Sequence, residues 1–315
     1  MTANQSHSAV VSVAMTSPAH ANSATVVDVA GWEIRRILAS PLNFLLLLAL
    51  GAFFGAIVMF KHEWAVPVDD ARHIDIVLVG ASAFGQMYEV VAILLVFFGL
   101  VVPFLTADAV ARDQKQRVHE ILMTTPISSA TYVWGRFLAA MAATLTAAVV
   151  MVLAATAANL VIHISTGTYP EPALGSLIIS WSVLVLPAAV LLGAVSFAGA
   201  TLFPRLAMAI KLGVVLIWVG LDIVVDIGHG LGGFAYWTPT SNGTLKVLMP
   251  QLADRFLSSA GGLDEAGRVQ LASTLQQQLP DLWPWVGPHL VLVVIGLAAV
   301  AFTAARFQRF RNVLN

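Results

Sequence analysis

The sequence contains no cysteine. That excludes disulfides, thiolate zinc sites and a cysteine nucleophile. Charge is scarce as well. Asp, Glu, Lys and Arg make up 10% of the 315 residues, where an ordinary soluble domain carries roughly 25%. Net charge is −1, so nothing marks a nucleic-acid partner and none is expected. A phosphate loop is missing too. It would read G-x-x-x-x-G-K-[ST], with backbone amides and the lysine holding phosphates. None of Lys61, Lys115, Lys211 and Lys246 follows a glycine. No H-E-x-x-H and no Ser/His/Asp order stands out, so no catalytic residue is assigned. His62, His73, His163, His229 and His289 lack close ligand spacing, so no metal site is expected.

What is present is apolar: 58% of the chain is hydrophobic. About 20 apolar residues in a row suffice to cross a bilayer. Six runs qualify, at 42–60, 90–107, 137–162, within 173–204, at 206–227 and at 286–305. The expected fold class is an all-α polytopic membrane protein with six transmembrane helices. Six spans put both termini on one side. That side collects Arg35, Arg36, Arg112, Lys115, Arg117, Arg136, Arg205, Lys211, Arg306, Arg309 and Arg311, eleven in all. The other side has five: Lys61, Arg72, Lys246, Arg255 and Arg268. The excess of Lys and Arg near span ends places both termini in the cytoplasm.

The chain then divides into a polar tail (1–24), a pre-membrane segment (25–41), a six-span domain (42–306) and a basic cytoplasmic tail (307–315). The apolar stretch AVVSVAM (9–15) has no Lys or Arg before it, so a cleaved signal peptide is not the expected reading. In VVDVAGWEIRRILASP (26–41), Val27, Ala30, Ile34, Ile37 and Leu38 share one side of a helix, away from Asp28, Arg35 and Arg36. With Trp32, this reads as an amphipathic helix lying in the interface and ended by Pro41. Between the last two spans, the outer segment 228–285 carries Leu271, Leu275 and Leu279 at every fourth position. That predicts a helix capped by Asp264 and ended by Pro280. A second short helix is expected over 245–257, and Trp237, Trp283 and Trp285 suit the headgroup level.

The loop between spans two and three, 108–136, is the most charged passage. Nothing in it breaks a helix before Pro126. Val118, Ile121, Leu122 and Thr125 form one narrow stripe. Asp113 precedes Arg117 by four residues, a favourable pairing. Pro126 stops the run, and Ser128 or Ser129 can cap a new helix through Trp134 and Arg136 into span three. On physical grounds alone, two readings fit: a surface anchor joining two spans, or a docking surface for a cytoplasmic partner.

The passage DAVARDQKQRVHEILMTTPISSATYVWGRF (108–137) resembles the signature region of type-2 ABC transporter permeases. The matching positions are Asp113, Glu120, Leu122, Thr125, Pro126, Ser128, Gly135 and Arg136. Arg117 and Val118 stand where that family usually has Gly-Thr. The layout is similar as well: an N-terminal interfacial helix, six spans and short helices in the last outer loop. The resemblance implies a permease subunit of an ABC exporter in the plasma (inner) membrane, paired with a second copy or close relative. It implies that loop 108–136 is a coupling helix resting on a separate ATPase subunit, which holds ATP and Mg. Asp113, Arg117, Glu120, Leu122, Pro126 and Arg136 become interface or hinge residues.

Other polar positions keep two readings each. Asp222 and Asp226 lie four apart near the end of span five, and Glu89 lies at the end of span two. Acids inside a membrane are costly and usually functional or shielded. They are either translocation-path groups or wet residues at span ends. Asn159 and His163, also four apart, either meet a polar substrate or bond between helices. Gly51 and Gly55 form G-x-x-x-G, a close-packing face. The competing function is an ion-coupled secondary transporter using Asp222, Asp226 and Glu89; a membrane scaffold is the third.

Overall fold

Thr25 starts the first helix. Its hydroxyl accepts the Asp28 backbone N–H at 3.3 Å, while the Asp28 carboxylate accepts the Thr25 backbone N–H at 2.8 Å. This reciprocal cap satisfies donors that a helix start leaves open. Helix α1 (Val26–Leu38) follows. It stops before Ser40, and Pro41 does not end it but opens the next helix, α2 (Pro41–Trp64). A proline at the first helical position loses no hydrogen bond, so Pro41 starts α2, within which the apolar stretch long enough to cross a membrane is Asn43–Phe60. The computed structural model describes residues 25–64, 91–115, 127–166, 171–172, 174–228, 232–277 and 281–307.

The remaining helices are α3 (Val91–Lys115) and α4 (Ser129–Thr166), then α5 (Leu174–Ser180), which continues through a π-helical turn (Trp181–Val185) into α6 (Leu186–Leu202). A 3-10 turn (Pro204–Leu206) leads to α7 (Ala207–Ile227). The outer segment holds a 3-10 turn (Gly232–Trp237), α8 (Ser241–Ser259) and α9 (Glu265–Gln277), and α10 (Trp283–Arg306) closes the chain. Among the described residues there is no strand. Five stretches are long and apolar enough to cross a membrane: α2, α4, the α5–α6 rod, α7 and α10. Helix α3 carries a shorter apolar stretch, Leu94–Ala107. The molecule is a multi-pass helical membrane protein.

Helix α4 has 38 residues, or roughly 57 Å at 1.5 Å per residue. A hydrocarbon core is only about 30 Å thick, so α4 projects beyond it. Ser128 caps it as expected, accepting the Thr131 N–H at 3.0 Å. The core is built by α3, α4 and α6, with Leu94, Leu95, Phe137, Met151 and Phe197 fully buried. Helix α6 supplies alanines 188, 189, 194, 198 and 200, all buried, the small residues that let membrane helices approach. Outward faces are apolar, with Leu45, Leu153, Leu216 and Val294 exposed.

The π turn has a specific chemistry. Pro187 has no N–H for the carbonyl four residues back, which is Val183. His289 of α10 supplies a donor instead: its Nδ1 lies 2.7 Å from Val183 O. Trp285, one turn earlier, is fully buried and packs edge-on to Tyr236 and His289. It belongs to the protein core, whereas Trp237 and Trp283 are exposed. The outer helices follow their caps. Asp264 Oδ1 accepts Gly267 N–H at 2.9 Å at the head of α9, and Leu275 buries its side chain. Helix α8 starts earlier than 245 because Thr240 caps it through Gly243 N–H. Leu279, Pro280 and His229, like the terminal segments 1–24 and 308–315, lie outside the described residues.

Candidate functional site

The charged loop is rooted in α3 and α4. Asp113 lies in the last turn of α3, and Arg136 lies near the start of α4. Each is 1% exposed. The Arg136 guanidinium binds the Asp113 carboxylate on one side and the Glu33 carboxylate of α1 on the other. Tyr132, one helical turn before Arg136, donates its hydroxyl to Asp113 Oδ2 at 2.5 Å. Arg36 donates to Glu33 Oε1 at 2.6 Å. One guanidinium thus joins the successive helices α3 and α4 to the sequence-distant α1.

Aromatic rings line the cluster. The Arg36 and Arg136 guanidiniums stand 5.5 and 5.8 Å from the Trp32 ring centroid. Arg136 also lies 5.6 Å from the Tyr132 ring. These are cation–π distances, worth more where water is excluded. Phe307, just past α10, stacks on Tyr132 at 5.9 Å. A fourth element is thereby brought to the same place.

Helix α1 can reach this position because of Gly135. A Cβ at residue 135 would fall 2.6 Å from both Cβ and Cγ1 of Val29. No side chain fits there, so glycine permits the crossing and its neighbour Arg136 locks it. At the other end of α1, Thr25 holds the Asp28 carboxyl below its usual range, chiefly through its backbone N–H and then through its hydroxyl.

The cluster is a set of ion pairs and hydrogen bonds that ties helices together. A buried ion pair gains little net stability over apolar packing, but removing one partner strands a buried charge at about 3–5 kcal/mol. Such a group defines one arrangement of α1, α3 and α4 and resists others. Being buried against each other, Asp113 and Arg136 are not accessible to another protein in this conformation. Asp113 bonds Arg136 and Tyr132; the expected Asp113–Arg117 pair lies outside the described residues, as do Arg117, Glu120, Leu122 and Pro126.

Glu33 and Tyr132 were not singled out by sequence reasoning. The signal for Glu33 is an acid on the inner side of α1 beside Ala30, which is also buried. For Tyr132 it is the four-residue spacing to Arg136. The other expected residues are scattered. Asn159 is buried and His163 half-buried on α4, and Asp222 is half-buried on α7. Glu89 and the Asp226 side chain lie outside the described residues. Gly51 and Gly55 face α4: a Cβ at 51 would meet Val150 Cγ1 at 3.1 Å, and one at 55 the Ala154 carbonyl oxygen at 3.7 Å. Among the described residues no group of three or more acids and histidines could hold a metal.

The family described as ABC-2 family transporter protein matches residues 73–232, just over half of the chain, and the chain belongs to that family. It is an ABC transporter permease, of a family whose members generally partner an ABC ATPase subunit. No curated protein matches the chain.

Proposed function

We propose that this chain couples ATP hydrolysis in a separate ATPase subunit to export of a substrate across the plasma membrane. In this reading it has six spans, with α3 as the second, and both termini are cytoplasmic. Two permease copies pair above two ATPase chains, which bind ATP and Mg. The segment 116–126 rests on the ATPase, and Arg117 and Glu120 contact it. The observation that carries the reading is the ion cluster at the root of that segment. A push on 116–126 reaches Asp113 on one flank and Arg136 on the other, and both are tied to α1 through Glu33.

The test is reconstitution. Tagged chain captured from native membranes should bring with it an ATPase carrying the phosphate loop, and hydrolysis in vesicles should depend on the permease. Capture of no such ATPase sinks the proposal, and an ion-coupled mechanism through Asp222 then takes its place.

A further inference from the structure

Helices α2 and α4 touch at Gly51, where a Cβ would meet Val150 Cγ1 at 3.1 Å. Toward α1 they part. The α4 side chains there include Ala140, Ala143 and Ala147, too small to fill the gap, and a cavity of about 260 Å³ lies between α1, α2, α3 and α4. It reaches from Asn43 to Leu50 on α2 and from Arg136 to Ala147 on α4. At 1.5 Å per residue, those stretches measure roughly 10 and 16 Å. The space is therefore elongated along the two helices. An apolar cavity of roughly 150 Å³ already holds a benzene molecule and stays free of water.

No group on its wall calls for a charged ligand. Four polar side chains line it, Glu33, Asn43, Arg136 and Thr146, and each already has a partner in the protein. Glu33 pairs with Arg36 and Arg136, and Arg136 also with Asp113, so two guanidiniums are matched by two carboxylates. Asn43 donates to the Ile37 carbonyl at 2.8 Å, and Thr146 to the Ala142 carbonyl at 2.8 Å. The rest of the wall is aliphatic, including Leu47 and Leu50 of α2 and Leu105 of α3. Such a lining suits an uncharged, apolar ligand, since charged and polar groups would be desolvated there without a new partner. The cavity is also open at one side. Leu46 stands at its edge, 54% exposed, on the stretch Asn43–Phe60 that is long and apolar enough to cross a membrane. The opening therefore faces the hydrocarbon of the bilayer.

We propose that this cavity is a site for one hydrocarbon chain of a surrounding lipid, seated between α2 and α4, and that the head group is not recognised. The elongated shape fits an extended chain, the aliphatic walls match its chemistry, and the lateral opening admits it from the bilayer. The balanced ion pairs at the α1 end give a lipid phosphate no advantage over an uncharged head.

The full-length chain in nanodiscs tests this, with one photoreactive acyl chain carried in turn by anionic phosphatidylglycerol, zwitterionic phosphatidylcholine and uncharged diacylglycerol. Illumination and peptide mass spectrometry should find label in 43–50 and 140–147, several-fold above the exposed apolar face of α4 around Leu153. The three lipids should label these peptides equally. Ala143→Phe should abolish the excess, and Leu47→Trp should do the same from the opposite wall should the first variant not remain monodisperse. Leu153→Phe should leave it unchanged. The proposal is overturned by label spread evenly over the exposed apolar faces, by label insensitive to both cavity-filling variants, by label from one head-group class alone, or by cross-links from these peptides to a second copy of the chain.

Discussion

Gly135 and Arg136 divide one task between them. Glycine removes the side chain that would strike Val29, and arginine supplies the guanidinium that holds Glu33 and Asp113. Gly135→Ala should therefore lift α1 away from α4 and cost about 1–3 kcal/mol, the usual penalty of overpacking. Thermal unfolding of the purified protein measures it. In a Val29→Gly background the same change should cost less, because both the Cβ and the Cγ1 that the new methyl group meets are gone. Equal losses in both backgrounds would show that the crossing is not set by this contact. The family-like motif identified these two positions, but not their joint role. Glu33 was illegible because its partner is more than a hundred residues away, and sequence spacing reports only neighbours on one helix.

At the scale of elements, the helices that cross the membrane were legible because a long uncharged run has few alternatives in lipid. Boundaries were less so. Pro41 opens α2 rather than closing α1, since proline suits the first turn of a helix as well as the residue after its end. The π turn at Trp181–Val185 could not be read at all: it depends on Pro187 and on a donor from α10. That dependence is testable. His289→Leu should leave the half-buried Val183 carbonyl without the imidazole partner, at up to about 1–3 kcal/mol. Pro187→Ala restores a backbone N–H four residues beyond Val183, so the same His289→Leu change should cost less in that background. Denaturation of the single and double variants decides this. If the two losses simply add, the histidine and the proline do not share that carbonyl.

For the whole molecule, the root of the charged loop is held in the ion cluster at Asp113 and Arg136, and substitutions at the root and within 116–126 should fail differently. Arg117→Ala with Glu120→Ala changes the segment 116–126. In the coupling reading this weakens ATPase association by about 1–2 kcal/mol, a factor of roughly 5–30, and leaves the fold intact. Arg136→Lys changes the root. Lysine keeps the charge but lacks the planar fork that spans two carboxylates. The ATPase should then remain bound, while hydrolysis no longer drives transport, because α1 and α3 are no longer held to α4 by one group. Binding measured by co-purification and transport measured in vesicles separate the two defects. Asp222→Asn, on α7, should disturb neither ATPase binding nor transport. If instead it abolishes transport while the Arg136 variant transports normally, force does not pass through the ion cluster. The carboxylates of α7 would then be the working groups.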